Sequence, residues 1–228
     1  MTPCLLALET SQNACSVALS MEGAVIGRWE RLPQGHAARL LPMVDEVLAE
    51  AGIGLVALDA FAYGQGPGSF TGLRIAAAVV QGLAFGIHRP VVPVSTLAVL
   101  AQSLEATHSL IAIDARMDQV YWGAYVRDSD GVPELVGAEE VTAPEAVRLP
   151  EGDDNWLGGG SGWDRYVDRL LPHLGPRVRT WHPDLLPDAR HLIPIASAYW
   201  QRGVALPAEQ ALPVYIRNKV AKRSSDRE

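Results

Sequence analysis

Cysteine is nearly absent from this chain: Cys4 and Cys15 are the two among 228 residues. Two thiols make no disulfide framework, and both stand in apolar segments, where they read as small core residues. Basic residues are outnumbered, 19 Lys and Arg against 26 Asp and Glu, for a net charge of −7. Affinity for nucleic-acid backbones comes largely from clustered cations, so the chain by itself is a poor nucleic-acid binder. No uncharged apolar run reaches the roughly 18 residues that a membrane span needs. The N-terminus lacks a basic region and meets an acid at Glu9, which is no secretory pattern. A soluble, cytoplasmic protein is expected. The signatures of metal and nucleophile chemistry are missing too. His36, His88, His108, His173, His182 and His191 include no His-x-x-x-His or His-Glu-x-x-His pair. Neither Ser69 nor Ser161 lies in a Gly-x-Ser-x-Gly elbow.

What is present is apolar sequence, 48% of the residues, enough for a substantial core in one domain or two small lobes. Cys4 to Leu8, Ala14 to Ser20 and Ala24 to Glu30 read as three consecutive antiparallel strands, the first two joined by the polar turn Glu9-Thr-Ser-Gln-Asn13. Gln34 to Gly52 is an amphipathic helix with Leu40, Leu41, Val44, Val47 and Leu48 at helical spacing. Then come a strand at Leu58 to Tyr63, a glycine loop, a helix from about Thr71 to Gly86, a strand at Val91 to Val94 and a helix from Ser95 to about Leu104. The order is β-β-β-α-β-α-β-α.

The second half begins in the same way. Ser109 to Ile113 and Val120 to Val126 are strands around the acidic turn Asp114-Ala-Arg-Met-Asp118, and Leu135 to Val141 adds a third. A strand–acidic turn–strand unit thus occurs at Glu9 and again at Asp114, which suggests two related lobes. Helices are expected near Trp163 to Leu171 and at His191 to Gln201, with Gly158 to Gly162 a flexible connection and Pro172 to Pro187 a proline-rich loop. The closing segment, Leu212 to Arg217 and beyond, is locally basic through Arg217, Lys219, Lys222, Arg223 and Arg227. It reads as a solvated end or as a contact for RNA or an acidic partner surface.

The string Gly64-Gln-Gly-Pro-Gly-Ser-Phe-Thr-Gly-Leu-Arg74 admits two readings. It is a tight strand-to-helix turn, or its amides face a phosphate or carboxylate at the helix N-terminus. It is not a P-loop, because the Gly-Lys-Ser/Thr ending is missing, nor a dinucleotide fingerprint, because Thr71 stands where the third glycine belongs. The helix it launches carries one charge, Arg74, between Thr71 and Ile87. Leu73, Ile75, Ala76, Val79, Val80 and Leu83 cover more than one face, and a helix apolar all round is buried by its own core or by a partner.

Two acidic hairpins facing a glycine-rich turn resemble the layout of the actin, sugar-kinase and acetate-kinase superfamily. There the hairpins hold nucleotide phosphates and Mg²⁺, and the glycine turn meets the adenosine. Thr10, Ser11, Asp114, Gly158, Gly159 and Gly160 are the matching positions for ATP or ADP; Glu9 and Asp114 are equally well explained as turn residues.

Leu6-Ala-Leu-Glu-Thr-Ser11, Gly64 to Ile75, Pro93-Val-Ser95, Asp114 to Tyr121 and Pro213-Val-Tyr-Ile-Arg217 resemble the TsaB, or YeaZ, family nearly end to end. The resemblance implies an α/β, two-lobed actin-like ATPase (ASKHA) fold, each lobe a mixed sheet flanked by helices. One lobe would be 1–104, completed by 205–228, and the other 105–204. It implies a non-catalytic part in making threonylcarbamoyladenosine in tRNA, with no cofactor required. The partners implied are the transferase TsaD in a heterodimer, the accessory ATPase TsaE, a second copy when alone, and tRNA only through the complex. In TsaD the metal is held by a His-x-x-x-His pair; the corresponding positions here fall on Thr96 and Leu100, and Leu100 cannot bind a metal. The partner surface implied lies on the two helices before and after the glycine loop, at Arg39, Leu40, Met43, Val47, Thr71, Arg74, Ile75, Ala78, Val79 and Gly82. Two other readings of the chain are an autonomous ATP-dependent kinase or ATPase with Asp114 as its essential carboxylate, and a glycoprotease-like peptidase.

Overall fold

The computed structural model describes residues 2–152 and 154–217. The expected opening order is present: β1 (Leu5–Glu9), β2 (Ala14–Met21), β3 (Ala24–Arg31), α1 (His36–Ala51), β4 (Ala60–Gly66), α2 (Phe70–Gly86), β5 (Val91–Ser95) and α3 (Thr96–Ser103). The rest comprises β6 (His108–Asp114), β7 (Val120–Arg127), β8 (Pro133–Thr142), β9 (Trp156–Gly159), α4 (Ser161–Leu174), β10 (Val178–His182) and α5 (Ala189–Gln201).

The strands form two five-stranded sheets, β3-β2-β1-β4-β5 and β10-β9-β6-β7-β8. In the first, β1 runs antiparallel to β2 and parallel to β4. In the second, β6 runs antiparallel to β7 and parallel to β9. Read from the central strand outward, the two sheets have one topology. The repeat inferred from two acidic turns is therefore a repeat of the whole sheet. A short 3-10 turn, Pro144–Ala146, stands in the second half where α1 stands in the first.

Strand alternation distributes the core into three layers. Leu6 and Leu8 point to an outer core with α1 and α2. Leu5 and Ala7 point to a central core that also takes Ile111 and Ile113 of β6, together with α3 and α5. Leu110 and Ala112 point to the other outer core, with Trp163 and Leu170 of α4. The central strands are covered on both faces, which is why β1 reads as a continuous apolar run.

Two local expectations are corrected. The proline-rich stretch contains β10, an edge strand of mostly polar Val-Arg-Thr-Trp-His that pairs only with β9. Such a strand carries little apolar signal. The run Gly158 to Gly162 is no flexible connection: Gly158 and Gly159 lie in β9 and Gly160 precedes α4.

The chain returns to the first sheet after α5. Leu206 and Val91 exchange backbone hydrogen bonds at 2.8 Å, the Val214 N–H donates to the Gln65 carbonyl at 2.8 Å, and Ala208 and Ala211 enter the outer core beside α2. Of the basic tail, Lys219, Lys222, Arg223 and Arg227 lie outside the described residues.

Candidate functional site

Two surfaces collect the residues singled out above. The first is a cleft of about 720 Å³ between the two hairpin turns, lined among others by Ser11, Ser69, Asp114, Arg116, Ser161 and Arg165.

On one side of the cleft the glycine loop is pressed against the first turn. A Cβ on Gly64 would lie 1.9 Å from Glu9 Oε2, one on Gly68 would lie 2.4 Å from the Ser11 carbonyl oxygen, and one on Gly72 would lie 2.0 Å from that of Thr10. The contact is hydrogen-bonded as well as close. The Ser69 N–H donates to the Ser11 carbonyl at 2.6 Å, and the Thr10 hydroxyl donates to the Gly72 carbonyl at 2.8 Å. The glycines thus exist to admit a neighbouring backbone. The first of the two readings of the loop, a strand-to-helix turn, accounts for them. Ser69 caps α2 by accepting from the Gly72 N–H.

Glu9, Thr10 and Ser11 are all fully buried. Glu9 Oε1 accepts from the Ser11 N–H at 2.6 Å, while Oε2 has no described partner. Burial pushes the Glu9 carboxyl above its usual pKa, against the hydrogen bonds from Ser11 and Thr10.

Across the cleft, Asp114 ends β6 and its side chain is 14% exposed. Its carboxylate accepts from the Arg116 N–H at 2.8 Å and from the Tyr166 hydroxyl at 3.1 Å, and it pairs with Arg165 at 3.3 Å. The turn behind it is tight: Arg116, Met117 and Asp118 all have positive φ. The carboxylate's described contacts hold the turn, through Arg116, and tie it to α4, through Tyr166 and Arg165.

Gly158, Gly159 and Gly160 do not open into the cleft's centre. A Cβ on Gly158 would meet the Trp163 ring at 2.6 Å, and one on Gly159 would meet Leu104 at 2.9 Å. Trp163 stacks on Trp181 with ring centroids 5.9 Å apart. Indole and leucine side chains fill the space against Gly158 and Gly159, and the Ala112 carbonyl oxygen, 2.5 Å from a Cβ built on Gly160, fills it against Gly160. Two of the six positions considered for a nucleotide, Ser11 and Asp114, line the cleft.

The second surface is the outer face of α1 and α2. Leu40, Met43 and Val47 do not reach it: they are buried in the core between α1 and the first sheet, because helical spacing turns them inward. These three are corrected from surface to core positions. Arg39 does lie at the surface, held by ion pairs to Glu30 at 2.8 Å and Glu46 at 2.6 Å. On α2 the inward face is Leu73, Ala76, Ala77, Val80 and Ala84. Thr71, Arg74, Ala78 and Gly82 are exposed, and Ile75 and Val79 are half-buried along their flank. The outward stripe is therefore small and nearly uncharged.

Aromatic residues that the periodicity did not single out frame this stripe. Phe70 is 52% exposed and Phe85 is 63% exposed. Arg74 is not a free charge. Its guanidinium lies 3.6 Å from the Phe70 ring centre and donates to the Tyr215 hydroxyl at 3.0 Å. Phe70 and Phe85 stand at the two ends of α2, and that placement was the available sequence signal. Tyr215 had no local signal, since it arrives from the far end of the chain.

Residues 30–152 match a family model described as TsaD, tRNA N6-adenosine threonylcarbamoyltransferase. Among curated proteins, the chain is 42% identical to the tRNA threonylcarbamoyladenosine biosynthesis protein TsaB of Escherichia coli strain K12, over 95% of this chain and 96% of that protein. It is 39% identical to the TsaB of Haemophilus influenzae, over 95% and 94%. Among solved structures, YeaZ from Pseudomonas aeruginosa is 50% identical, with a TM-score of 0.88, covering 93% of this chain and 99% of that one.

Proposed function

The chain belongs to the TsaB, or YeaZ, family, and from that premise we propose that it is a non-catalytic subunit of the machinery that makes threonylcarbamoyladenosine in tRNA, where it binds and activates a TsaD-type transferase. The observation that carries the partner role is the outward stripe of α2. A 17-residue helix presents Thr71, Ala78 and Gly82 to solvent with half-buried Ile75 and Val79 beside them, and exposed Phe70 and Phe85 at its ends. Small residues let a second helix approach closely, and the flanking apolar atoms gain by burial, at about 25 cal/mol per Å². The same stripe serves a second copy of the chain when no transferase is present. The accessory ATPase TsaE joins the assembly, and tRNA is met through the complex.

The lack of a catalytic role is supported by the positions that correspond to the transferase's metal ligands. Thr96 and Leu100 lie on α3, both fully buried, and Leu100 belongs to the central core. A leucine packed there supplies no donor atom to any ion.

The test is reconstitution of tRNA modification from purified TsaD and TsaE, supplied with tRNA, ATP and threonylcarbamoyl-adenylate, with and without this chain. The reading expects product only when the chain is present. Ala78→Glu places a charge on the exposed stripe without entering the core, and it is expected to abolish both pull-down of TsaD and product formation while leaving the folded spectrum intact. Equal product without the chain, or with Ala78→Glu, would falsify the proposal.

A further inference from the structure

A second cavity, of about 430 Å³, opens away from the hairpin cleft, between the first sheet, the second sheet and α5. Among the described residues that line it, Glu139 is the one that carries a charge. Its position is built. In the β7–β8 ladder Trp122 pairs with Glu140 and Ala124 pairs with Val136, so residues 137–139 bulge opposite Gly123 alone. Gly137, at φ 84°, makes that bulge. Bulges re-aim side chains, and this one takes Glu139 out of the ladder. Glu139 Oε1 then accepts the hydroxyls of both Ser95 and Tyr125. Ser95 is itself fixed, since its oxygen accepts from the Leu97 N–H at 3.1 Å and caps α3. Tyr125 is 2% exposed. The other carboxylate oxygen, Oε2, has no partner among the described contacts, and no described Lys, Arg or His pairs with Glu139.

We infer that this cavity is a binding site for a small organic ammonium group, held by the Glu139 carboxylate and by the aromatic side chain of Tyr199. The chemistry selects the class. A half-buried carboxylate with no counter-charge is costly, and burial raises its pKa accordingly. A ligand cation relieves that cost. Hard divalent ions want several oxygen ligands and usually more than one carboxylate, whereas one carboxylate beside the Tyr199 ring suits a diffuse organic cation. An ammonium head has three hydrogens to donate, and Glu139, Tyr199 and Gln65, which all line the cavity, are side chains with acceptor oxygens. The volume is in the range of small-ligand sites.

The experiment is a titration of the full chain with ethylammonium chloride at constant ionic strength, followed by backbone amide NMR, with ethanol as the neutral probe of equal size. Saturable shifts centred on Ser95, Tyr125 and Glu139, absent with ethanol, are expected. Glu139→Gln keeps an oxygen for the two hydroxyls and should weaken the apparent affinity at least tenfold. Tyr199→Leu, on a different element, should weaken it several-fold and serves if Glu139→Gln does not fold. No saturable shift in the native chain, undiminished affinity in a folded variant, or saturation of the same amides by Mg²⁺ at lower concentration overturns the assignment.

Discussion

Glu9 and Gly64 form the tightest single contact at the first hairpin. A methyl group on Gly64 would sit 1.9 Å from a buried, unpartnered carboxylate oxygen, and neither side has room to yield. Gly64→Ala is therefore expected to lose about 1–3 kcal/mol or more of stability, the usual cost of overpacking, read as a lower urea midpoint. The same burial sets a pH dependence. The Glu9 pKa is raised above 4.5, so as pH rises through the ordinary carboxylate range the unfolded chain releases a proton that the native state keeps. Native stability falls across that window. Glu9→Gln has no proton to release and can still accept from Ser11. Its stability relative to the parent should improve steadily as pH is raised from 4.5, in urea titrations run at a series of pH values. A difference that is flat with pH would show that burial does not raise this carboxyl.

At the scale of the element, α2 is the part of the molecule where sequence and structure can be compared most sharply. The nearly charge-free run from Thr71 to Gly86 was legible as a helix with more apolar surface than one core requires. Which of its residues stay outside was not legible from periodicity, because that depends on the angle at which the helix lies on β4; the family resemblance alone pointed to Thr71, Arg74, Ala78 and Gly82, which are exposed. Half-buried Val79 touches the outer core, so Val79→Glu tests folding and partner binding together, whereas Ala78→Glu tests the surface alone. Gly82 is exposed and a Cβ there meets nothing within 4 Å. Gly82→Ala should therefore stabilise the isolated chain by about 0.5–1 kcal/mol through helix propensity, seen as a higher melting temperature. At the other end of the helix, Ser69→Ala removes the cap and should cost about 1 kcal/mol by the same measurement. A neutral result there would mean that the packing of Gly68 and Gly72 on the first turn holds the helix start without the cap.

At the scale of the whole molecule, the two sheets share a topology and also share a core. Helices α3 and α5 pack between them, with side chains of both sheets in one cluster. The return segment joins the first sheet as well, through the Val91–Leu206 bridge and the Tyr63 hydroxyl donating to the Leu212 carbonyl at 3.1 Å, and it reaches the second sheet's hairpin through Arg217, which donates to Gln119 at 2.6 Å. Residues 204–217 are therefore expected to be needed for stability. A chain ending at Gly203 uncovers the outer core where Ala208 and Ala211 sit, and should lose about 3 kcal/mol, from roughly 25 cal/mol per Å² of apolar surface exposed. Differential scanning calorimetry of the truncated chain reads this directly, as a melting temperature well below that of the full chain. An unchanged transition would mean that the segment rests on the surface without contributing to the core.

The sequence by itself determined the order of elements in the first half, the repeat of the strand–turn–strand unit and the family. Periodicity and glycine placement are local properties, written over a few residues at a time. Tertiary structure decided what each glycine is for. Gly64, Gly68 and Gly72 face the turn at Glu9 to Ser11, more than fifty residues away in the chain, and Gly158 faces Trp163 and Trp181. It also decided that Phe70 and Phe85 are surface and that β10 is a strand at all. These follow from which neighbour arrives at each position, and close packing between segments distant in sequence leaves no periodic trace within either one.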